Sequence, residues 1–165
     1  MYRIQFARLA VVLTAVVLAP GMLAGPARAE WASTPPREGA VIFLEKAITA
    51  IAANDYAQAW QSLHPIHQAV APEEEYVACE ELSPIPGTLE SLVPVHVRHR
   101  PVSVAGLPKK VRGVAVTFRL RFENSALGAR AGVTLTAAAV KVAGRWAWLL
   151  PSARYELYRD DTCGV

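Results

Sequence analysis

The chain has 165 residues, 17 basic against 14 acidic side chains and 53% apolar residues. That length suits one domain with a real core, and no stretch after the first thirty residues is apolar enough to span a bilayer. The formal charge of +3 is poor support for a nucleic-acid partner, because three arginines fall in a segment that reads as discarded on export.

That segment is residues 1–29. A basic start, MYRIQFAR, precedes the apolar run LAVVLTAVVLAPGMLAG, and Ala27-Arg28-Ala29 supplies an A-x-A cleavage signal. This is the three-part pattern of a Sec-type signal peptide, with cleavage expected between Ala29 and Glu30. The alternative is an uncleaved anchor. Loss of Arg3, Arg8 and Arg28 leaves 14 bases against 14 acids. The remaining charges are segregated. Residues 30–90 hold 10 acids and 2 bases, and residues 91–165 hold 12 bases and 4 acids. Residues 30–38 read as a flexible lead-in, and 39–165 as a single domain.

Helices come first. Val41, Leu44, Ile48 and Ile51 form one apolar stripe between Gly39 and Ala53. Asp55 with Gln58 has the form of a capping box, which starts a second helix at Tyr56. Pro65 suits the first turn of a further short helical piece, and Pro72 opens another that ends near Glu81. Glu73, Glu74 and Glu75 then lie in a first helical turn, where free N–H groups favour carboxylates without any metal.

Strands follow. Val114, Val116, Phe118, Leu120 and Phe122 alternate with smaller or polar residues, the period of a half-buried strand. Val93, Val95 and Val97 alternate likewise, but the apolar positions become 102 and 104 beyond Pro101, which predicts a bulge near 99–101. Residues 131–142 predict a third strand. Ala143-Gly144 predicts a tight turn into a fourth, Arg145 to Leu150, and Tyr155 to Tyr158 a last edge strand. Helices followed by a long-stranded antiparallel sheet define an α+β fold with helices packed on a curved sheet.

This order, together with NDYAQAWQSLHPIHQ and the following Tyr76-Val77-Ala78-Cys79, resembles the nuclear transport factor 2-like superfamily, the cone-shaped roll of ketosteroid-isomerase-like enzymes. The similarity is to secreted bacterial members of unassigned function and covers about residues 39–160. It implies a sheet wrapped around helices, leaving a concave interior.

Both cysteines, Cys79 and Cys163, lie after the signal. An oxidising compartment predicts a bond between them; the alternatives are free thiols or an intermolecular bridge through Cys163. His64 with His67 and His96 with His99 have metal-pair spacing, but Pro65 and the odd strand separation argue against a metal site. His99 is the weak catalytic candidate, a pocket base facing the interior. Trp60, Tyr76, Phe118, Trp146 and Trp148 are the pocket candidates. Arg98, Arg100, Arg119 and Arg121 fall on a polar, basic sheet face. No G-x-S-x-G or Gly-rich phosphate loop is present, and no cofactor is expected. The reading is an exported, non-catalytic domain that binds a small apolar ligand or a protein. The alternatives are an isomerase- or cyclase-like enzyme using His99, and an envelope interaction module using the arginine face. Oligomeric state stays open.

Overall fold

The computed structural model describes residues 38–124 and 129–163; the predicted signal segment, its expected cleavage site at Ala29 and Glu30, and most of the predicted lead-in lie outside them. The element order is α1 (Gly39–Ala52), α2 (Tyr56–Gln61), α3 (Pro65–Val70), α4 (Glu73–Glu81), β1 (Thr88–Val102), β2 (Val111–Asn124), β3 (Ala129–Val142), β4 (Arg145–Trp148) and α5 (Ser152–Arg159). The fold is α+β. Its four strands form one antiparallel meander, β1-β2-β3-β4, that does not close into a barrel.

The helix boundaries follow local chemistry. Asp55 Oδ1 accepts from Gln58 N at 3.1 Å and caps α2. Asn54, just before it, sits at φ 58°, in the left-handed region that asparagine tolerates. Pro65 occupies the first turn of α3, where its missing N–H costs nothing. Glu73, Glu74 and Glu75 form the first turn of α4 behind Pro72. Their charges meet the free N–H end of the helix.

Antiparallel partners share a face, so the register defines an inner and an outer surface. The inner face carries Val114, Val116, Phe118, Leu120 and Phe122 of β2, paired in β3 with Ala139, Ala137, Leu135, Val133 and Ala131. Helix α1 packs on it through Ala40, Val41, Leu44 and Ile48, all buried. Trp146 and Trp148 of β4 pair with Lys141 and Ala139 and point the same way. A second core joins α2, α3, α4 and α5 around Tyr56, Tyr76, Tyr155 and Tyr158. A third, of Val102, Val104, Val140 and Leu149, lies on the outer face at one end, under the loop after β1. Gly113 sits beneath Val102 there; a Cβ on it would lie 2.1 Å from Val102 Cγ2.

Three expectations are corrected. The bulge predicted near 99–101 is absent. The register shifts instead at Leu89/Ser91 and Pro94/His96. Val97 and His99 consequently share the inner side, and Val102 belongs to the outer one. The apolar positions change parity because the loop after β1 covers the outer face at that end, so a residue on either side finds a cover. The predicted edge strand at Tyr155 to Tyr158 is instead part of α5. Both tyrosines are buried, and their spacing of three puts them on one helical face. The fourth strand also stops at Trp148, two residues early.

Cys79 of α4 and Cys163 beyond α5 form a disulfide across 84 residues, with Cα atoms 5.6 Å apart. Beside it Arg154 forms an ion pair with Glu80, and Tyr158 Oη donates to Glu80 Oε1 at 2.7 Å. Cys79→Ala should lower stability by about 2–5 kcal/mol, the usual effect for a small secreted domain. Urea denaturation of the oxidised protein measures this. An unchanged midpoint, or two alkylatable thiols without reductant, contradicts the bond.

Candidate functional site

The inner face of the sheet is longer than the helix that covers it. Beyond Ile48, α1 ends at Ala52, and the lower part of the sheet is left with a partial roof. The result is a groove of about 270 Å³. Its walls are Ile48, Ile51 and Ala52 of α1, Leu120 and Phe122 of β2, and Leu135 and Ala137 of β3. Trp148 and Leu150 form the far side, and Ser103, Thr136 and Ser152 also border it, although the Thr136 hydroxyl lies on the outer face, bonded to Thr117 Oγ1 at 2.9 Å. Apolar walls with a few polar groups are the usual make-up of a small-molecule site, and the volume is near the lower end, about 300 Å³, of such sites. The described lining holds no carboxylate, imidazole, amine or thiol. A larger hollow of about 740 Å³ beside α4 is bordered, among the described residues, by Pro72, Glu73, Glu74, Val77, Ala78 and Glu81, one side of a single helix.

Of the five aromatic pocket candidates, only Trp148 lines the groove. Phe118 is fully buried against α1. Tyr76 lies in the second core, 5.6 Å from the Tyr158 ring, and burial raises both phenols well above their usual range. Trp60 joins α2 to α3, donating from Nε1 to Ala71 O at 2.7 Å. Trp146 borders a different, polar hollow with Gln61, Gln68 and Arg145, and Lys141 sits over its ring at 5.1 Å.

His99 faces the inner side opposite Val114 but belongs to the outermost strand, and its side chain is 67% exposed. Its Nε2 meets the Glu38 carboxylate at 2.9 Å. With Arg100 and Arg112 it borders a separate hollow at the other end of the sheet. His96 is opposite Thr117 on the outer face, so His96 and His99 point apart. Among the described residues no three potential metal ligands cluster.

The four arginines share the outer face. Arg98 and Arg100 are opposite Ala115 and Gly113, and Arg119 and Arg121 are opposite Val93 and Ser91. They run obliquely across two strands, with His96 between them accepting from Arg98 Nε. Arg130 on the same face reaches Glu90 and Glu123 at 3.4 and 3.8 Å. Among the described residues Arg98, Arg100, Arg119 and Arg121 have no acidic partner.

Sequence reasoning weighed His67 only as half of a metal-spaced pair and missed its burial. It is fully buried. Its Nδ1 accepts from Leu150 N at 3.1 Å and its Nε2 lies 3.2 Å from Ala105 O. These partners fix one neutral tautomer, with Nε2–H donating to the carbonyl. The ring thus ties the groove wall at Leu150 to the loop over the outer face. A free imidazole in the sequence carries no sign of this; only the apolar company of Leu63, Ile66 and Val70 hints at burial. Desolvation lowers the proton affinity of His67, and of neighbouring His64 for the same reason.

No protein-family model matches the chain, and no curated protein matches it.

The two histidines predict acid sensitivity. Their folded-state pKa values are lowered, so the unfolded chain takes up protons first as pH falls. Stability is full above about pH 7 and falls below about 6.5, by up to roughly 1.4 kcal/mol per pH unit for each such group. Urea midpoints at pH 7.5 and 5.5 should differ accordingly, and His67→Gln should flatten the slope. Equal midpoints in the native sequence would contradict a neutral buried His67.

Proposed function

We propose that the protein is an exported binding domain that takes a small apolar ligand in the groove between α1 and the inner face of the sheet. The observation that carries this reading is the lining: Ile48, Ile51, Leu120, Phe122, Leu135 and Trp148 surround a cavity with no titratable side chain among its described lining residues. Such a site supplies contact area and a little orientation, and no proton donor or acceptor matched to catalysis. The disulfide supports an oxidising compartment, in line with the signal read in residues 1–29. The helix-first order and the roofed inner face support membership of the nuclear transport factor 2-like superfamily. The enzyme alternative rests on His99, which borders no part of this groove.

A neutral environment-sensitive probe, N-phenyl-1-naphthylamine, tests the reading. It should brighten on binding and quench Trp148. Ile51→Glu sets a carboxylate in the apolar wall and should weaken binding at least tenfold, about 1.4 kcal/mol. Equal affinity in a folded Ile51→Glu variant would sink the groove as the site.

A specific observation favours a second mode of interaction. Arg98, Arg100, Arg119 and Arg121 share one face and, among the described residues, lack acidic partners, while Arg130, Arg154 and Arg159 each have at least one. That asymmetry supports weak attachment to an anionic envelope polymer, screened over about 8 Å at physiological salt. Arg119→Glu with Arg121→Glu should abolish low-salt retention on dextran sulfate with an unchanged circular dichroism spectrum. Retention by the folded double variant would remove this reading.

A further inference from the structure

The described lining of the groove holds no titratable group, but one stands directly behind its wall. His67 is fully buried. Its two hydrogen-bond partners belong to two segments that border the groove. Leu150, itself in the wall, donates from N to Nδ1 at 3.1 Å. Ala105 O, two residues beyond Ser103 of the lining, lies 3.2 Å from Nε2.

Both segments depend on this ring. The chain leaves the sheet where Leu149 N donates to Ala138 O, and α5 begins where Arg154 N and Tyr155 N bond back to Pro151 O. Between these points, among the described residues, the hydrogen bond that holds the link is that of Leu150 N to His67. The loop at residues 103–107 has the local bond of Leu107 N to Val104 O and, among the described residues, one longer-range hydrogen bond, that with His67. Gly106, at φ 82°, brings this loop against α5, where a Cβ on it would lie 2.6 Å from Tyr155 Oη.

A neutral imidazole serves both segments at once, accepting at Nδ1 and donating at Nε2. An imidazolium donates at both nitrogens. It keeps the bond to Ala105 O and loses the one from Leu150 N, where two N–H groups then face each other. Leu150 is buried, and a buried N–H without an acceptor is costly, so its amide regains a partner only if the link moves off the ring toward water.

The groups around the ring do not favour a charge on it. His64 and Tyr155 of α5 are in ring contact, at 5.7 and 5.2 Å. Residues 103–107 and 148–152 carry no charged side chain. On α5, Arg154 pairs with Glu80 of α4, and Arg159 with Glu156 and Asp160. The neighbouring His64 opposes a second positive charge beside it.

On the reading of the groove as the ligand site, we propose that His67 is its pH switch: the neutral ring holds the wall at Leu150 in place, and the imidazolium releases that wall and with it the apolar ligand. Acid acts on the site from behind, since neither the described lining nor a neutral ligand titrates. The closed form keeps His67 neutral, and the open form lets it titrate near the ordinary value of about 6.5. Each pH unit below that favours the open form by up to about tenfold. Affinity is therefore constant above about pH 7 and falls as the pH drops below about 6.5.

N-phenyl-1-naphthylamine, titrated into the oxidised protein at about pH 7.5 and about pH 5, should bind at least tenfold more weakly in acid, with circular dichroism showing a folded chain at both. His67→Gln keeps an amide oxygen for Leu150 N and an amide N–H for Ala105 O, and it does not titrate. It should bind like the native protein near pH 7.5 and lose the pH dependence. His64→Asn keeps an acceptor for Ile66 N at the start of α3 and should retain the dependence. Equal native affinity at the two pH values overturns the proposal. So does a dependence that persists in folded His67→Gln, or one that vanishes in His64→Asn. A second measurement needs neither ligand nor variant. Hydrogen exchange by NMR, corrected for the intrinsic effect of pH, should show the Leu150 amide losing protection at least tenfold in acid while the core amide of Val116 keeps its own. Equal protection of Leu150 at both pH values, or a loss shared with Val116, also overturns the switch. A probe that fails to bind near pH 7.5 counts against the groove as the ligand site, and the Leu150 amide then still decides whether His67 releases the wall.

Discussion

The attachment of α5 to α4 decides the rest of the molecule. Cys79 and Glu80 are adjacent on α4, and three groups from the C-terminal segment meet them: Cys163, Arg154 and Tyr158. Glu80 is mostly withdrawn from solvent, with its side chain 14% exposed. A carboxylate in that position is costly unless paired, and here a guanidinium and a phenol supply the pairing. To reach it, the chain must leave the sheet soon after the last turn. It does so after the four residues of β4. The unpaired length of β3 and the open side of the groove are both consequences of that departure.

The same constraint builds the groove wall. Leu150, Pro151 and Ser152 bridge β4 and α5 and line the far side. Leu150 is held by its N–H to His67, and His64 N and Trp148 N exchange bonds with Trp148 O and Ser62 O. The link between α2 and α3 therefore acts as a short extra strand against β4, which fixes Trp148. One wall of the groove rests on a helix, α1, and the other on this lattice of backbone bonds and one imidazole. A ligand would meet a rigid floor of β2 and β3 between them.

Much of this was legible in the residues. Asp55 with Gln58, Pro65 and Pro72 announced their helices because capping and proline chemistry are local. Residues 114–122 announced a strand because five alternations in a row leave no helical reading. The arginine face followed from the same parity. What was not legible depends on distant parts. Tyr155 and Tyr158 suit one helical face as well as a short strand, and only the pull of Glu80 and the disulfide decides for helix. The bulges at 90 and 95 leave no mark that separates them from one at 100. The groove could not be inferred from its aromatics, because four of the five candidates are spent on packing; its position depends on where α1 stops short of the sheet.

The charge pattern and the two edges follow one logic. The acids of residues 30–90 lie mainly on the helices, and the arginines without an acidic partner among the described residues lie on the sheet face that no described helix covers. Charge therefore protects that face and the β1 edge from association, since like charges brought together there would repel. It is absent from the stretch from Ala131 to Ala137. A sequence that puts Arg98, Arg100, Arg119 and Arg121 at outer positions of β1 and β2 has side chains to spare for β3. Yet it places alanine, glycine, threonine, valine and leucine along the strand with an open edge. Uncharged residues on an exposed edge carry a cost in aggregation wherever they remain bare.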